Sequence, residues 1–151
     1  MMYQKTASLM EASAGAAATL VGKDKVAYMR YGRNLGMAFQ MIDDILDITK
    51  DEATLGKPAL HDFEEGKTTL PYIYLYESLN KDDKIKLVSL HGKKLSVDEQ
   101  VWIKTMMQNT GVIEKSYNEA KILIEEAIAL MDACDEKVLS HLAMAMIERE
   151  F

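Results

Sequence analysis

Residues 24–50 read DKVAYMRYGRNLGMAFQMIDDILDITK, and the spacing of their apolar side chains indicates one long helix. The apolar positions recur at intervals of three and four residues, apart from one step of six: Val26, Met29, Leu35, Phe39, Ile42 and Leu46. An α-helix turns once every ~3.6 residues, so this spacing predicts an amphipathic helix of about seven turns.

Helical spacing also runs through most of the remaining sequence, and no convincing alternation of apolar and polar residues indicates a strand. Further helices are predicted over residues 3–21, from 69 onward, and over 82–90, 97–108, 113–134 and 138–149. We therefore predict an all-α fold, a helical bundle of about six or seven helices. The length of 151 residues predicts one domain, formed by residues 1–151.

Particular residues mark two helix starts and one interruption. Thr69 is a suitable N-cap with Pro71 in the first turn behind it, and Ser96 with Glu99 has the spacing of a capping box. The polar stretch 53–66 has no periodicity and contains two glycines and a proline, so we predict a long loop there.

Composition and charge exclude several classes of protein. A hydrophobic fraction of 48% and a charged fraction of 28% are those of an ordinary globular chain. The formal net charge of −6 disfavours nonspecific binding of nucleic acid. The longest apolar run, residues 14–21, is shorter than the ~18 residues of a membrane span, so no transmembrane segment is predicted. Cys134 is the single cysteine and cannot form an internal disulfide, which favours a reducing, cytoplasmic compartment.

Two further patterns have a structural interpretation. Residues 12–18, ASAGAAA, carry small side chains that would let another helix approach closely in the core. Tyr72 and Tyr76 fall on one face of the helix that begins near residue 69, where they would line a product cavity or take part in ordinary packing.

An acidic cluster lies near the end of the long helix. Asp43 and Asp47 are four residues apart and therefore share a helix face, with Asp44 about 100° away. Such carboxylates suit Mg²⁺, which takes oxygen ligands from one or two carboxylates and completes its octahedron with water and phosphate. A solvated acidic helix face is the alternative interpretation.

Lysines next to glycines follow the acidic cluster. Lys57 stands in Gly-Lys-Pro, Lys67 stands in Gly-Lys-Thr just before the predicted helix start, and Lys5 with Thr6 opens the first helix. Glycine permits close backbone approach, and a helix N-terminus offers unpaired N–H groups to an anion. Each lysine alone could be an ordinary surface residue, but together with the aspartates they predict a magnesium diphosphate site.

In their order along the chain, these motifs resemble the C-terminal half of the trans-isoprenyl diphosphate synthases, the polyprenyl synthetase family. The resemblance rests on residues 5–9, Gly36, 39–47, 56–58, Asp62 and 65–71. It implies an isoprenoid synthase fold, all-α and usually homodimeric, that acts in isoprenoid biosynthesis. The implied activity is that of a prenyltransferase, which elongates an allylic diphosphate with isopentenyl diphosphate and uses Mg²⁺.

The resemblance also implies a role for each motif residue. Asp43 would bind Mg²⁺ directly, and Asp44 and Asp47 would bind it directly or through water. The remaining roles concern the substrate: Lys5, Lys57 and Lys67 would neutralise the allylic diphosphate, Thr6 would support it, and Gln40 would border the reacting carbon.

Two departures from the family pattern affect these expectations. Leu60 and His61 stand where the family usually has another glycine after Gly-Lys-Pro. The family is also about twice this long, and its first aspartate motif belongs to the other half. We therefore expect the 151-residue chain alone to have little or no synthase activity. Its expected partner is a second copy or an N-terminal half, and the alternative function is a non-catalytic helical interaction or regulatory module.

Overall fold

The computed structural model describes residues 2–49 and 59–148. In these ranges the chain forms eight α-helices and no strand: α1 Ser8–Leu20, α2 Lys25–Thr49, α3 His61–Glu64, α4 Leu70–Ser78, α5 Lys81–Leu90, α6 Val97–Thr110, α7 Val112–Ala133 and α8 Lys137–Glu148. A short π-helical turn, Tyr3–Ala7, leads into α1. The all-α prediction is confirmed, and the helix ends lie within a few residues of those predicted. No helix of the described ranges is long and apolar enough to cross a membrane.

The predicted loop over 53–66 is wrong in part, because it contains the short helix α3. Residues 51–58 lie outside the described ranges. Leu60, just before α3, has a φ of 63°, a left-handed conformation that favours glycine. Its side chain is completely buried, and its backbone N–H donates to the Asp47 carbonyl oxygen over 2.8 Å. The hydrogen bond comes from α2 and the burial from the core of the central unit, so the local sequence pattern does not reveal either.

The described residues form two compact units. The terminal unit comprises the residues before Asp43 together with those after Tyr117, and the central unit comprises those from Asp43 to Tyr117. The prediction of a single domain stays a prediction.

In the terminal unit, α2 packs on more than one side. A Cβ atom added at Gly36 would lie 2.6 Å from the Ala7 Cα atom, and one added at Gly32 would collide with the Met10 carbonyl oxygen. Elsewhere on α2, the Tyr31 hydroxyl donates to the Leu139 carbonyl oxygen over 3.0 Å. The buried surface of α2 is therefore wider than the single apolar stripe that the sequence predicts.

Two residues of that stripe, Val26 and Phe39, are exposed, whereas Tyr28, Tyr31 and Ala38 are buried. A helix with neighbours on several sides buries more than one row of side chains, which explains the difference.

The small-residue stretch of α1 is buried only in part. Gly15 and Ala18 are buried, but Ala12, Ser13 and Ala16 are exposed. The prediction that this stretch packs in the core is therefore wrong for the exposed residues.

The central unit has its own apolar core, whose buried members are Ile48, Leu60, Phe63, Tyr72, Leu75, Leu79, Leu87, Ile103, Met107 and Val112. Burying a large apolar side chain contributes about 1.5–3 kcal/mol. The capping box of Ser96 and Glu99 is present at the start of α6, as predicted. This core supports the end of α2 and the start of α4, which carry the candidate site.

Candidate active site

The three aspartates lie in the last two turns of α2, within the central unit. Asp43 is exposed, whereas Asp44 is 4% and Asp47 2% exposed. Buried carboxylates are rare unless charges or hydrogen bonds compensate them. A fully solvated acidic face is therefore the wrong interpretation for Asp44 and Asp47.

A chain of contacts joins the aspartate motif to a downstream lysine. The Asp62 N–H donates to Asp47 Oδ2 over 3.0 Å. Lys67 Nζ in turn donates to Asp62 Oδ1 over 2.9 Å, and the Lys67 N–H donates to the Asp62 carbonyl oxygen over 2.8 Å. Asp62 thus connects α2 to the segment before α4, and it places a cationic group near the acidic turns.

Lys67 is held by two carboxylates. Its Nζ lies 2.6 Å from Glu65 Oε2 in addition to the contact with Asp62. Hydrogen bonds to Glu65 and Asp62 hold the pKa of the Lys67 ammonium well above its usual range. The same ion pair holds the pKa of Glu65 below its usual range. Lys67 is therefore positively charged at any physiological pH, and its side chain is 39% exposed, so an anion can reach it.

Thr69 is the N-cap residue of α4, as predicted, but its side chain makes no capping hydrogen bond. A capping oxygen usually accepts from the N–H of the second or third helical residue. The second residue is Pro71, which has no N–H, and the Tyr72 N–H donates to the Thr69 carbonyl oxygen over 3.1 Å. The Thr69 hydroxyl is consequently buried without a hydrogen bond to any residue in the described ranges.

Tyr72, which the sequence assigned to a product cavity or to ordinary packing, belongs to the central unit together with the aspartates. Its ring stacks on Phe63 with 4.6 Å between the centroids, and the residue is only 4% exposed. Its hydroxyl also has no hydrogen-bond partner among the described residues. Burial, followed by the nearby charges of Asp47 and Asp62, raises the pKa of the Tyr72 phenol well above its usual value. Tyr76, predicted to share its face, is instead 45% exposed, and no local signal distinguishes the two tyrosines.

The other predicted site residues belong to the terminal unit or lie outside the described ranges. Thr6 and Gln40 meet, because the Thr6 hydroxyl donates to Gln40 Oε1 over 3.1 Å. Lys5 is exposed in the π-helical turn next to Thr6. Lys57 lies outside the described ranges, so its predicted role stays a prediction.

The donor chemistry of the central unit fits Mg²⁺ in part. Within the described ranges, no three His, Cys, Asp or Glu side chains are grouped so as to hold a metal ion. Mg²⁺ needs only one or two carboxylates when water and phosphate oxygens supply the other positions. Asp43, Asp44 and Asp47 offer such oxygens, and the unpartnered hydroxyl of Tyr72 near Asp47 shows that the surrounding polar groups are not all satisfied.

Comparison with known proteins adds an independent line of support. The polyprenyl synthetase family model matches residues 1–110. The chain is 36% identical over 146 residues to a geranylgeranyl diphosphate synthase of Sulfolobus acidocaldarius, a match that covers 91% of this chain and 42% of the relative.

Solved structures give the same result. An octaprenyl pyrophosphate synthase of Helicobacter pylori has a TM-score of 0.88 at 42% identity, covering 97% of this chain and 50% of that one. A geranylgeranyl pyrophosphate synthetase of Pyrococcus horikoshii has a TM-score of 0.88 at 32% identity, covering 99% of this chain and 48% of that one. The chain thus spans about half the length of the relatives it matches, namely their C-terminal portion. It belongs to the polyprenyl synthetase family of isoprenyl diphosphate synthases and has the all-helical isoprenoid synthase fold.

Proposed function

We propose that this chain supplies the C-terminal portion of a trans-prenyl diphosphate synthase, a prenyltransferase that elongates an allylic diphosphate with isopentenyl diphosphate. One observation carries the proposal: Asp47, Asp62 and Lys67 form a continuous chain of contacts in the central unit. Carboxylates that suit Mg²⁺ and an ammonium that suits diphosphate are therefore joined in one network.

In this proposal, Asp43, Asp44 and Asp47 hold Mg²⁺, which when bound stabilises negative charge on diphosphate oxygens. Lys67, with Lys5 and Lys57, binds the diphosphate as it leaves with the electron pair of the carbon–oxygen bond. Fixed positive charge at that position stabilises the transition state most, because charge develops there.

The remaining residues of the proposed site orient the substrate. The hydrogen bond between Thr6 and Gln40 fixes the Gln40 amide, which would border the allylic carbon that isopentenyl diphosphate attacks. The attack forms the new carbon–carbon bond, and loss of a proton completes the elongation. A cytoplasmic location, predicted from the single Cys134, is part of this proposal.

Calorimetric titration with inorganic diphosphate, with and without MgCl₂, tests the proposal. We expect binding that needs Mg²⁺ and that Asp43→Asn weakens at least about tenfold. Asp43 is the preferred target because it is exposed, whereas the buried Asp47 carboxylate accepts a hydrogen bond from the Asp62 N–H that a substitution would disturb. Asp98→Asn, a change at an exposed aspartate in the first turn of α6, is the matched control and should bind as the unchanged chain does. Equal binding by the unchanged chain and Asp43→Asn would end the proposal.

A second candidate function is a helical interaction module that associates through the terminal unit. The supporting observation is exposed apolar surface on α1 and α2: Leu9 is 72%, Leu20 86% and Val26 74% exposed. Large exposed apolar patches mark association sites. A second copy, forming a homodimer, or an N-terminal half would cover it. Sedimentation velocity should show association, whereas a monomer that binds no hydrophobic dye would argue against this function.

A further inference from the structure

We propose that Tyr72 is a positioning residue whose buried hydroxyl, with that of Thr69, holds an internal water molecule that bridges to the carboxylates of Asp47 and Asp62. The effect of Tyr72 on the binding of magnesium and diphosphate rests on the proposed function. The presence of the water molecule does not depend on that function.

The first support is the burial of two hydroxyl groups at the start of α4. Tyr72 is 4% and Thr69 5% exposed, and neither hydroxyl makes a hydrogen bond with a residue in the described ranges. A buried hydroxyl without a partner is costly, so such groups are nearly always satisfied by protein or by ordered water. Both hydroxyls belong to the start of α4, three residues apart, and each needs a hydrogen-bond partner.

The second support is the charge that surrounds the phenol. Burial raises the pKa of the Tyr72 phenol, and the charges of Asp47, Asp62 and Glu64 raise it further, although none of these carboxylates is hydrogen-bonded to the hydroxyl. Asp47 and Asp62 are also joined to the same network, through the Asp62 N–H to Asp47 Oδ2 contact of 3.0 Å. Two of the carboxylates that act on the phenol are thus held together by a backbone N–H, in the same unit as the unpartnered hydroxyl.

Water is the molecule that best satisfies both the hydroxyls and the carboxylates. A tyrosine hydroxyl is protonated at neutral pH and can donate its hydrogen. The carboxylates are acceptors. Water can accept from the phenol and donate to a carboxylate at the same time, and a buried water typically makes about three hydrogen bonds. A free anion is unsuitable because the carboxylates would repel it.

The bridge would restrain the two carboxylates. Asp62 is also the partner of Lys67, so a fixed Asp62 keeps the ammonium in place beside the aspartate motif. Residues that hydrogen-bond to metal ligands typically change metal affinity roughly ten- to hundredfold when they are removed. Tyr72 would thus act on the diphosphate site through Asp47 and Asp62, without touching the substrate.

Tyr72→Phe tests the inference, because it removes one oxygen and keeps the ring that stacks on Phe63. Tyr76→Phe is the matched control, since it makes the same change one turn later at an exposed position. Crystal structures of the unchanged chain and both variants should show the bridging water, about 2.5–3.0 Å from the phenol oxygen, in all but Tyr72→Phe. The Mg²⁺ concentration for half-maximal binding of inorganic diphosphate should rise roughly tenfold in Tyr72→Phe and stay unchanged in Tyr76→Phe.

Two results would overturn the inference. One is a Tyr72 hydroxyl that bonds directly to a protein atom with no water present. The other is a lower melting temperature of Tyr72→Phe with an unchanged Mg²⁺ requirement, which is the result of a purely structural role. If the unchanged chain binds no magnesium diphosphate, the proposed function fails. In that case, the presence of the water and the orientations of Asp47 and Asp62 in the three crystal structures decide the inference by themselves.

Discussion

At the scale of single residues, the carboxylate contacts of Lys67 distinguish it from an ordinary surface lysine. Its ammonium lies 2.6 Å from Glu65 and 2.9 Å from Asp62, and this second carboxylate is buried. A diphosphate would have to compete with Glu65, whose side chain is 45% exposed and can move into solvent. Asp62 has no such freedom, so we expect it to keep its contact while the phosphate replaces Glu65.

Lys67→Met should weaken magnesium-dependent diphosphate binding roughly ten- to hundredfold, the usual effect of losing a charged hydrogen bond. Lys94→Met is the control. The Lys94 side chain is 92% exposed, and its contact with Glu64 is long, at 3.8 Å between Nζ and Oε2. Calorimetry measures the affinity, and thermal melting reports whether Asp62 tolerates the loss of its partner. Equal affinities of the two variants would contradict a diphosphate role for Lys67.

At the scale of elements, the helices begin and pack through recognisable local devices. α6 begins with a complete capping box: the Ser96 hydroxyl accepts from the Glu99 N–H over 3.4 Å, and the Ser96 N–H donates to Glu99 Oε2 over 2.7 Å. α1 and α2 approach closely because glycines occupy the contact. Both devices can be tested by single substitutions.

Ser96→Ala should lower the free energy of unfolding by about 1 kcal/mol, because it leaves an N–H at the start of α6 without its capping oxygen. Ser89→Ala removes an exposed hydroxyl of α5 that bonds to the Lys86 carbonyl oxygen. It should therefore be close to neutral, since alanine favours the helix. Chemical denaturation of both variants measures the difference, and similar values for the two would argue against the cap.

Gly32→Ala should destabilise the chain by about 1–3 kcal/mol, although alanine is the better helix former, because its Cβ would collide with the Met10 backbone. Gly15→Ala provides the comparison. Its Cβ would meet mainly the side chain of Met29, which can change rotamer, so we expect a smaller effect. Denaturation curves should give Gly32→Ala a clearly lower free energy of unfolding than Gly15→Ala. The opposite order would refute this account of the contact.

The turn between α7 and α8 is tied to α2 by a pH-dependent contact. The Tyr28 hydroxyl donates to Glu136 over 2.7 Å, and Lys23 lies 3.1 Å from the same carboxylate. The hydrogen bond from Tyr28, followed by that from Lys23, lowers the pKa of Glu136, and the Glu136 bond raises the pKa of Tyr28 to about 12. A carboxylate with a lowered pKa stabilises the fold above its ordinary pKa of ~4.3, and this stabilisation is lost as the pH falls through the lowered value.

Tyr28→Phe should therefore melt below the unchanged chain at about pH 7, and the gap should narrow toward about pH 3, as Glu136 becomes protonated. Tyr76→Phe, at an exposed tyrosine, should show no such convergence. Melting temperatures across this pH range measure both. If the difference in melting temperature between Tyr28→Phe and the unchanged chain stays constant down to about pH 3, the charge of Glu136 is unimportant.

At the scale of the whole molecule, the chain spans about half the length of its relatives. The resemblance implies that the first aspartate motif of the family lies in the other half. One magnesium motif supplies only part of the charge that ionisation of an allylic diphosphate requires.

The 151-residue chain expressed alone should consequently show little or no Mg²⁺-dependent elongation of an allylic diphosphate with isopentenyl diphosphate. A radiolabel incorporation assay, with a full-length family member as the positive control, measures this. Clear turnover by a preparation free of any full-length enzyme would show that the C-terminal portion is sufficient.

The α-helices of the described ranges other than α3, the capping box of α6 and the aspartate motif could be predicted from the sequence. A helix face is defined by side chains three and four positions apart, and a capping box by residues three apart, so both are legible in a short stretch. The ordered motifs likewise indicated the family, which the comparisons confirm.

The hydrogen bond from Asp62 to Asp47, the left-handed Leu60 and the buried phenol of Tyr72 could not be predicted in this way. The first joins residues 15 positions apart, and the others depend on which surfaces meet when α3 and α4 fold against the end of α2. Periodicity places Tyr72 and Tyr76 on the same face, yet one is buried and the other exposed. Burial depends on the neighbouring elements, and a side chain's position along its own helix carries no information about them.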